Sequence, residues 1–433
     1  MIIQRPRYLN QLIKYRENGV IKIITGIRRC GKSFLLNVIY REYLESLDTA
    51  PEQIISLSLE DDINIRYRNP LELGQYFRDR ITEKEKIYYL LIDEIQLVES
   101  IQNPFLPKGQ GDLITFVDVL NGLNKIPNVD IYVTGSNSKM LSKDILSTFG
   151  DRGQEIRVSP LTYDEFYPSF TGDKRHAWRE FFTFGGMPKV LQKESPEEKS
   201  RYLKGLFSLL YIKDVIDRNK LKSGDEILGE LLNTVASSVG SLTNPTRIAN
   251  TFTSEKKVKV RNETISNYLD CFIEAFILEK SYRYDIKGRA YIDTPLKYYF
   301  TDVGLRNARL NFRQQEENHI MENILYNELV ARGFNVDIGV VEYNHVDAEG
   351  KKIRTQLEVD FVVNKGNKKF YIQSALTVAE EAKRMQEVNS LNRINDSYAK
   401  IVVVKDDILP WYDEKGVEYV NIEDFLLKKI NEL

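Results

Sequence analysis

An eight-residue segment near the start of the chain has the residue types and spacing that bind phosphate groups. It runs from Gly26 to Ser33 and fits the pattern Gly-x-x-x-x-Gly-Lys-Ser at every fixed position. Glycines let backbone N–H groups face a phosphate, Lys32 would reach the β- and γ-phosphates, and the Ser33 hydroxyl would ligate Mg²⁺. The sequence therefore predicts a site for the phosphates of ATP. Its predicted members are Gly26, Ile27, Arg28, Arg29, Cys30, Gly31, Lys32, Ser33 and Phe34.

The residues on either side of this loop predict the strand and the helix that its chemistry requires. Residues 20–25 form a β-branched run typical of a buried strand, and residues 34–44 carry apolar side chains at helical spacing. The N-terminus of such a helix adds a dipole that favours an anion. Arg28 and Arg29 fill variable positions, where phosphate contact and surface solvation both stay open. Cys30 is either a thiol beside a helix N-terminus or a small tolerated residue.

A second apolar run ends in two acids and predicts the other half of the same site. Residues 88–92 have the pattern of a strand, and Asp93 and Glu94 follow it, with Asp93 61 residues after Lys32. An acid at the end of such a strand lies beside the phosphate loop, so Asp93 is predicted to hold Mg²⁺. Glu94, one residue further, is predicted to polarise the attacking water.

Polar residues that follow a third predicted strand, 129–133, extend the site. Ser136 and Asn137 are candidates to sense the γ-phosphate or to orient water, and turn or helix-capping roles are compatible with these. Arg152 is either a phosphate contact, in its own or a neighbouring subunit, or an ordinary surface arginine. We therefore add Ser136 to the ATP-binding residues, and Asn137 and Arg152 to Glu94 as predicted catalytic residues.

Together these motifs resemble a prokaryotic P-loop ATPase family related to AAA+ proteins and to the archaeal-type ATPases. A later stretch, Phe184-Gly185-Gly186-Met187-Pro188, adds to the resemblance. The resemblance implies an α/β fold that begins with a P-loop NTPase parallel sheet within residues 1–200. An α-helical winged-helix segment within 201–310 and a restriction-endonuclease-like α/β domain within 311–433 would follow. ATP and Mg²⁺ are the cofactors that it implies.

The middle of the chain has the predicted elements of a winged helix. Helical runs at 226–239, 246–253 and 262–275 precede strand-like pieces at 277–284 and 298–301, which would form the wing. The stretch 281–313 contains 7 basic and 3 acidic residues, a net charge of +4. This basic stretch is equally compatible with DNA contact and with an interdomain docking surface.

The last third is similar to a nuclease core whose site is altered. In restriction-endonuclease-like domains an acid on the first helix and an Asp on a strand bind the metal, and a Glu/Gln-x-Lys on the next strand activates water. The resemblance assigns these positions to Glu322, Asp360 and Gln373, but Ala375 stands at the lysine position. Alanine cannot stabilise an attacking hydroxide. We therefore predict a vestigial nuclease site.

Composition narrows the remaining function classes. Across 433 residues, 61 Lys and Arg face 63 Asp and Glu, so the net charge of −2 excludes a uniformly cationic nucleic-acid-binding protein. Two cysteines and three histidines exclude a zinc ribbon or a disulfide framework. No apolar run approaches the roughly 18 residues that span a bilayer, so no membrane association is expected. The N-terminus has no pattern of a secretory signal, which predicts the cytoplasm.

These observations predict a Mg²⁺-dependent ATP hydrolase that couples its nucleotide state to C-terminal interaction domains. One alternative is a DNA- or protein-binding module that ATP switches with little turnover. Another is an ATP-gated nuclease with a substitute for the missing lysine. DNA, a protein partner and self-association all stay open as partners.

Overall fold

The computed structural model describes residues 2–107, 112–136, 153–207, 211–219, 225–256, 258–314, 316–346 and 350–433. The predicted catalytic residues Asn137 and Arg152 lie outside the described residues, so their roles stay predictions. The chain divides into two compact units. The first comprises residues 1–160 together with Glu274–Phe276, and the second comprises Leu161–Ile273 and Ile277–Leu433.

A five-stranded parallel sheet forms the centre of the first unit. Its strand order is β2-β3-β6-β1-β7, and a separate antiparallel pair, β4 and β5, lies outside it. All residues of β1 and β3 are buried, as expected for a parallel sheet covered on both faces. The strands in chain order are β1 (Ile21–Thr25), β2 (Ile54–Ser58), β3 (Tyr88–Asp93), β4 (Ile101–Gln102), β5 (Leu113–Ile114), β6 (Val129–Gly135) and β7 (Gly153–Arg157).

The register of this sheet brings the predicted site residues to one edge. Thr25 at the end of β1 pairs with Gly135 at the end of β6, and Ile92 of β3 pairs with Val133 of β6. Parallel strands that end at the same level present their following residues on the same side. The phosphate loop, the acids Asp93 and Glu94, and Ser136 after β6 therefore lie together.

Helices cover this sheet and complete its core. Leu73 and Phe77 of one helix pack with Val117 and Leu120 of another against buried strand residues such as Leu90. Burial of these apolar side chains stabilises the sheet that positions the loop. The helices are Pro6–Lys14, a continuous run made of Lys32–Phe34, the π-helical Leu35–Tyr40 and Arg41–Glu45, then Pro70–Arg78 and Phe116–Leu123.

The second unit begins with helices. At its start the backbone N–H of Thr162 donates to Glu165 at 3.1 Å, the capping contact that this sequence favours. Within the part of the chain that the structure describes, no helix has both the length and the apolar character to cross a membrane. The helices from this point are Tyr163–Ser169, Ala177–Phe184, Pro196–Leu206, Ile212–Asn219, Asp225–Ser237, Pro245–Thr251, Asn262–Glu274, Val303–Arg309, Glu317–Ala331, Glu381–Val388 and Ile422–Leu427.

An eight-stranded mixed sheet follows in the order β14-β15-β13-β12-β11-β10-β8-β9. Buried residues of its central strands, including Val359, Tyr371 and Val402, form one apolar cluster with Val388 of a covering helix. The strands are β8 (Leu278–Asp285), β9 (Ala290–Phe300), β10 (Asn335–Val346), β11 (Lys352–Lys365), β12 (Lys368–Ala375), β13 (Ala399–Val404), β14 (Trp411–Tyr412) and β15 (Glu418–Asn421).

The hairpin that we assigned to a wing belongs to this sheet. Strand β8 pairs with β9 on one side and, in parallel, with β10 on the other, where Ile338 lies opposite Arg283. Strand β10 was not predicted from the sequence, so the outer edge of β8 was expected to have no partner. The three helices predicted before the hairpin are present, and their winged-helix arrangement stays a prediction.

Candidate nucleotide-binding site

The loop between β1 and the following helix depends on its glycines. Gly26 and Gly31 have φ angles of 139° and 104°, in the region that glycine adopts most readily, and Arg29 has φ 71°. A Cβ atom on Gly26 would lie 2.0 Å from the carbonyl oxygen of Val158, which follows β7. Glycine is therefore needed at position 26 because the neighbouring backbone passes directly against the loop.

The lysine of the loop is buried and points back over the backbone that precedes it. Lys32 is 3% exposed, and its Nζ donates to the carbonyl oxygens of Gly26 at 2.9 Å and Ile27 at 3.2 Å. Both acceptors are neutral, so they orient the ammonium group without neutralising it. Its positive charge is available to an anion bound by the loop.

Two hydroxyl groups hold the carboxylate of Asp93 beside the loop. Ser33 Oγ donates to Asp93 Oδ1 at 2.9 Å, and Thr134 Oγ1 donates to the same oxygen at 2.5 Å. Burial raises the pKa of Asp93 above its ordinary value, while the hydrogen bonds from Thr134 and Ser33 lower it. A bound cation would further favour the charged carboxylate.

Glu94 adopts a backbone conformation that is unusual for a residue with a side chain. Its φ angle is 56°, and its N–H donates to Thr134 Oγ1 at 2.9 Å. Its carboxylate Oε2 accepts hydrogen bonds from Ser136 Oγ at 3.3 Å and from the side-chain amide of Gln96. A left-handed non-glycine residue costs on the order of 1 kcal/mol, and such strain concentrates at functional sites. Because of this turn, the carboxylates of Asp93 and Glu94 contact different side chains.

The variable loop residues have different surroundings. Arg28 forms an ion pair with Glu60 at 2.6 Å, although it is partly exposed. Cys30 and Ile27 are buried, so both pack within the fold, whereas Phe34 is 40% exposed. The Cys30 Sγ donates to the Val158 carbonyl at 3.3 Å. This contact favours the packing interpretation of the cysteine.

Three residues that shape the site were not predicted from the sequence. Thr134 bonds to both acids, and Gln96 contacts Glu94 and Ser136. The third is Arg5, a buried residue that donates to backbone oxygens of the loop and of the chain after β7. Thr134 lies near the end of β6, just before the selected Ser136, and was a detectable signal. No local pattern marks Gln96 or Arg5.

The oxygen groups at this edge fit a magnesium ion and a phosphate chain. A serine hydroxyl and a carboxylate are ligands that Mg²⁺ accepts, and phosphate oxygens and water usually complete its octahedron. In the described ranges, no group of three or more His, Cys, Asp and Glu residues is placed to hold a metal ion. A magnesium ion here would therefore depend on ligands from the nucleotide.

The predicted vestigial nuclease residues converge in the second unit. Glu322 and Asp360 are buried, at 7% and 8% exposure. The backbone N–H of Asp360 donates to the Gln373 side-chain oxygen at 3.2 Å, and the N–H of Ser374 donates to Asp360 Oδ2 at 2.8 Å. The carboxylate of Asp360 and the amide of Gln373 are therefore tied to adjacent strand backbone.

A lysine that the sequence analysis did not select joins these acids. Lys297 is 3% exposed, and its Nζ lies 2.8 Å from Glu322 Oε1 and 2.6 Å from Glu358 Oε1. The Tyr299 hydroxyl also donates to Glu322 Oε1, at 2.6 Å. Burial would lower the pKa of Lys297, but Glu322 and Glu358 raise it above its ordinary value. The ammonium group is therefore charged and neutralised from within the protein.

The basic stretch 281–313 is only partly on the surface. Lys297 and Arg306 are buried, and Arg306 donates to the Ala236 carbonyl at 2.8 Å. Arg309 is half-buried and donates to the Gly229 carbonyl at 2.8 Å. The residues that leave some positive charge accessible are Arg283, Lys287, Arg289 and Arg313.

Comparisons with known proteins show which family the chain belongs to. Residues 18–167 match the family described as AAA domain, and residues 175–316 match a domain of unknown function (DUF8612). The chain is 32% identical over 435 residues to an uncharacterized protein of Haemophilus influenzae, and the match covers 99% of each. The chain belongs to the family of that protein and contains an AAA-type P-loop ATPase domain.

Two further similarities span most of the chain. An uncharacterized protein of Methanocaldococcus jannaschii is 27% identical over 445 residues, which cover 98% of this chain and 89% of that protein. Among solved structures, a Walker-type ATPase of Pyrococcus abyssi is similar with a TM-score of 0.45 and 14% identity. That match covers 71% of this chain and 96% of the other.

Proposed function

We propose that this protein is a Mg²⁺-dependent ATP hydrolase whose phosphate loop is Gly26–Ser33. The observation that carries the proposal is the hydrogen-bonded group of Ser33, Asp93 and Thr134, with Glu94 fixed beside it. A loop that binds phosphate needs only glycines and a lysine. ATP hydrolysis also requires acids that hold the metal ion and orient water, and Asp93 and Glu94 lie at the same edge with defined side-chain partners.

Each of these residues has a distinct part in the proposed reaction. The loop N–H groups and the Lys32 ammonium bind the phosphates and offset negative charge as it develops on the γ-phosphate. Ser33 and Asp93 hold Mg²⁺, which when bound neutralises phosphate charge. Glu94 orients the attacking water, while Gln96 and Ser136 position its carboxylate. Asn137 and Arg152 are proposed to act on the same γ-phosphate.

The first test separates ATP binding from ATP hydrolysis. We expect Glu94→Gln to lower phosphate release on the order of 100-fold, because an amide is a poor general base. Binding of a fluorescent ATP analogue should stay within a few-fold of wild type, since Glu94 is not a proposed phosphate ligand. Glu99→Gln, an exposed acid on the same loop, is the matched control. Unchanged phosphate release from Glu94→Gln would exclude the proposed role.

The second proposed function is a module that ATP switches and that contacts DNA with little turnover. Its support is the hairpin of β8 and β9, where Lys287 and Arg289 are exposed. Tyr282 and Tyr291 beside them are 39% and 62% exposed. Cations bind phosphates and tyrosine rings stack on bases, so this surface suits nucleic acid. Protein contacts or self-association through the same surface would give no salt-dependent DNA affinity.

A salt titration of DNA binding with ATP present tests this alternative. We expect Lys287→Ala/Arg289→Ala to weaken binding and to reduce the slope of log affinity against log salt by about 2. Lys415→Ala/Lys428→Ala removes two exposed lysines from other parts of the second unit and should leave the slope unchanged. Equal slopes for the two double variants would exclude the hairpin as a DNA contact.

A further inference from the structure

The carboxylate cluster of the second unit contains its own cation. We use the name carboxylate cluster for Glu322, Glu358 and Asp360, which surround the ammonium group of Lys297. The Nζ atom contacts two of the acids directly, at 2.8 and 2.6 Å. Only 3% of Lys297 is exposed, so its positive charge lies inside the fold and not on the surface.

Three different elements bring these groups together. Lys297 and Tyr299 are two residues apart on β9, so their side chains leave the strand on the same side, and both bond to Glu322 Oε1. Glu358 and Asp360 have the same spacing on β11. Because the partners come from separate strands and a helix, the arrangement belongs to the folded unit.

One oxygen atom of each acid in the carboxylate cluster already has a partner. Glu322 Oε1 accepts from Lys297 and Tyr299, and Glu358 Oε1 contacts the same ammonium. Asp360 Oδ2 accepts from a backbone N–H, and the oxygen of Gln373 accepts from another. An ammonium group beside these oxygens would repel a divalent ion and remove two of its ligands. The cluster as built does not fit a metal.

We propose that the Lys297 ammonium takes the place of a metal ion in the carboxylate cluster, joining Glu322 and Glu358 and keeping divalent cations out. The altered nuclease site is then a closed ion-pair site, and the second unit cleaves no DNA with Mg²⁺ or Mn²⁺. Removal of the ammonium opens a divalent-cation site that the wild-type protein lacks.

Manganese binding to the full-length chain without nucleotide tests the proposal. Free Mn²⁺ is followed by electron paramagnetic resonance for wild type, Lys297→Met and Lys297→Met/Glu322→Gln. We expect Lys297→Met to gain a Mn²⁺ site at least tenfold tighter than any in wild type, and Glu322→Gln to abolish that gain. The double variant retains the ATPase residues, so the difference reports the carboxylate cluster alone. Lys287→Met, an exposed lysine, should gain no site.

Two results would overturn the proposal. One is a wild-type Mn²⁺ site that Glu358→Gln abolishes, because the ammonium would then not exclude the metal. This measurement applies even if Lys297→Met fails to fold. The other is nicking of supercoiled DNA by wild type with Mn²⁺ and ATP that Lys297→Met abolishes. Lys297 would then replace the missing catalytic lysine instead of closing the site.

Discussion

Lys32 and Lys297 are equally buried, at 3% exposure, yet their partners differ in charge. Lys32 donates to the backbone carbonyls of Gly26 and Ile27, whereas Lys297 contacts the carboxylates of Glu322 and Glu358. Neutral partners hold an ammonium in place and leave its charge for a ligand. Charged partners satisfy that charge within the protein.

The acids of the nucleotide-binding site and of the carboxylate cluster also differ in the charge of their partners. In the first unit the carboxylate of Asp93 accepts from the hydroxyls of Ser33 and Thr134, which leaves its negative charge for a cation. In the second unit Glu322 and Glu358 share the ammonium of Lys297. In the first unit Lys32 and Asp93 each have neutral hydrogen-bond partners, so both charges can act on a ligand. In the second unit Lys297 pairs directly with Glu322 and Glu358, so these charges stabilise the fold.

Substitution of Lys297 has the largest predicted effect on stability. Lys297→Met leaves the buried Glu322 and the half-buried Glu358 without their cation, which should cost about 3–5 kcal/mol of the free energy of unfolding. Both tryptophans, Trp178 and Trp411, lie in the second unit, so urea unfolding followed by tryptophan fluorescence reports that unit. Lys287→Met is the exposed control. A loss below about 1 kcal/mol would show that the ion pair is not structurally important.

Asp302 provides a buried acid whose partners are backbone groups. The N–H groups of Gly186 and Leu305 donate to it at 2.6 and 2.9 Å. Burial raises the pKa of Asp302 to about 6 from the ordinary 3.8. The protonated form therefore adds stability that is complete below about pH 3.8 and is lost as the pH rises through 6.

The corresponding prediction compares wild type with Asp302→Asn, which is neutral at every pH. The free energy of unfolding of the variant minus that of wild type should rise by about 1–3 kcal/mol between pH 4 and 6.5. Any packing cost of the amide is an offset that does not depend on pH. Urea unfolding with tryptophan fluorescence at several pH values measures the slope. A flat difference would contradict the raised pKa.

Substitution of Thr134 tests the hydroxyl partners of the first unit. Thr134→Val removes a donor to Asp93 and leaves the buried N–H of Glu94 without its acceptor, which costs about 1–3 kcal/mol. We expect phosphate release to fall about tenfold and to need more Mg²⁺. Thr134→Ser keeps the hydroxyl and should retain most of the activity. Equal loss in both variants would argue for packing as the cause.

Local patterns predicted the phosphate loop well because its chemistry is contiguous in the sequence. The strand expected at 20–25 is Ile21–Thr25, and the strand expected at 88–92 is Tyr88–Asp93. The family resemblance also assigned Glu322, Asp360 and Gln373 to one site, and β11 and β12 bring the last two together. Short apolar runs bounded by turn residues are consistent with buried strands.

Contacts between residues that are distant in the sequence could not be predicted from local patterns. Lys297 lies 25 residues before Glu322 in a stretch whose positive charge suggested a surface, and only the path of β9 turns it inward. Thr134 was overlooked because the strand was predicted to end at residue 133 and only Ser136 and Asn137 were selected after it, whereas β6 continues to Gly135. Strand β10 was missed, and with it the sheet that includes the hairpin. The failure at Lys297 concerns which elements meet, a property that periodicity does not carry, whereas β10 is an element that was not predicted.

The most direct test of the account is phosphate release from wild type, Lys32→Ala and the exposed control Lys84→Ala. The account predicts that Lys32→Ala lowers Mg²⁺-dependent phosphate release on the order of 10²–10³-fold, because its charge serves the phosphates. The tryptophan-reported stability of the second unit should stay unchanged, and Lys84→Ala should match wild type. Equal rates for wild type and Lys32→Ala would contradict the account.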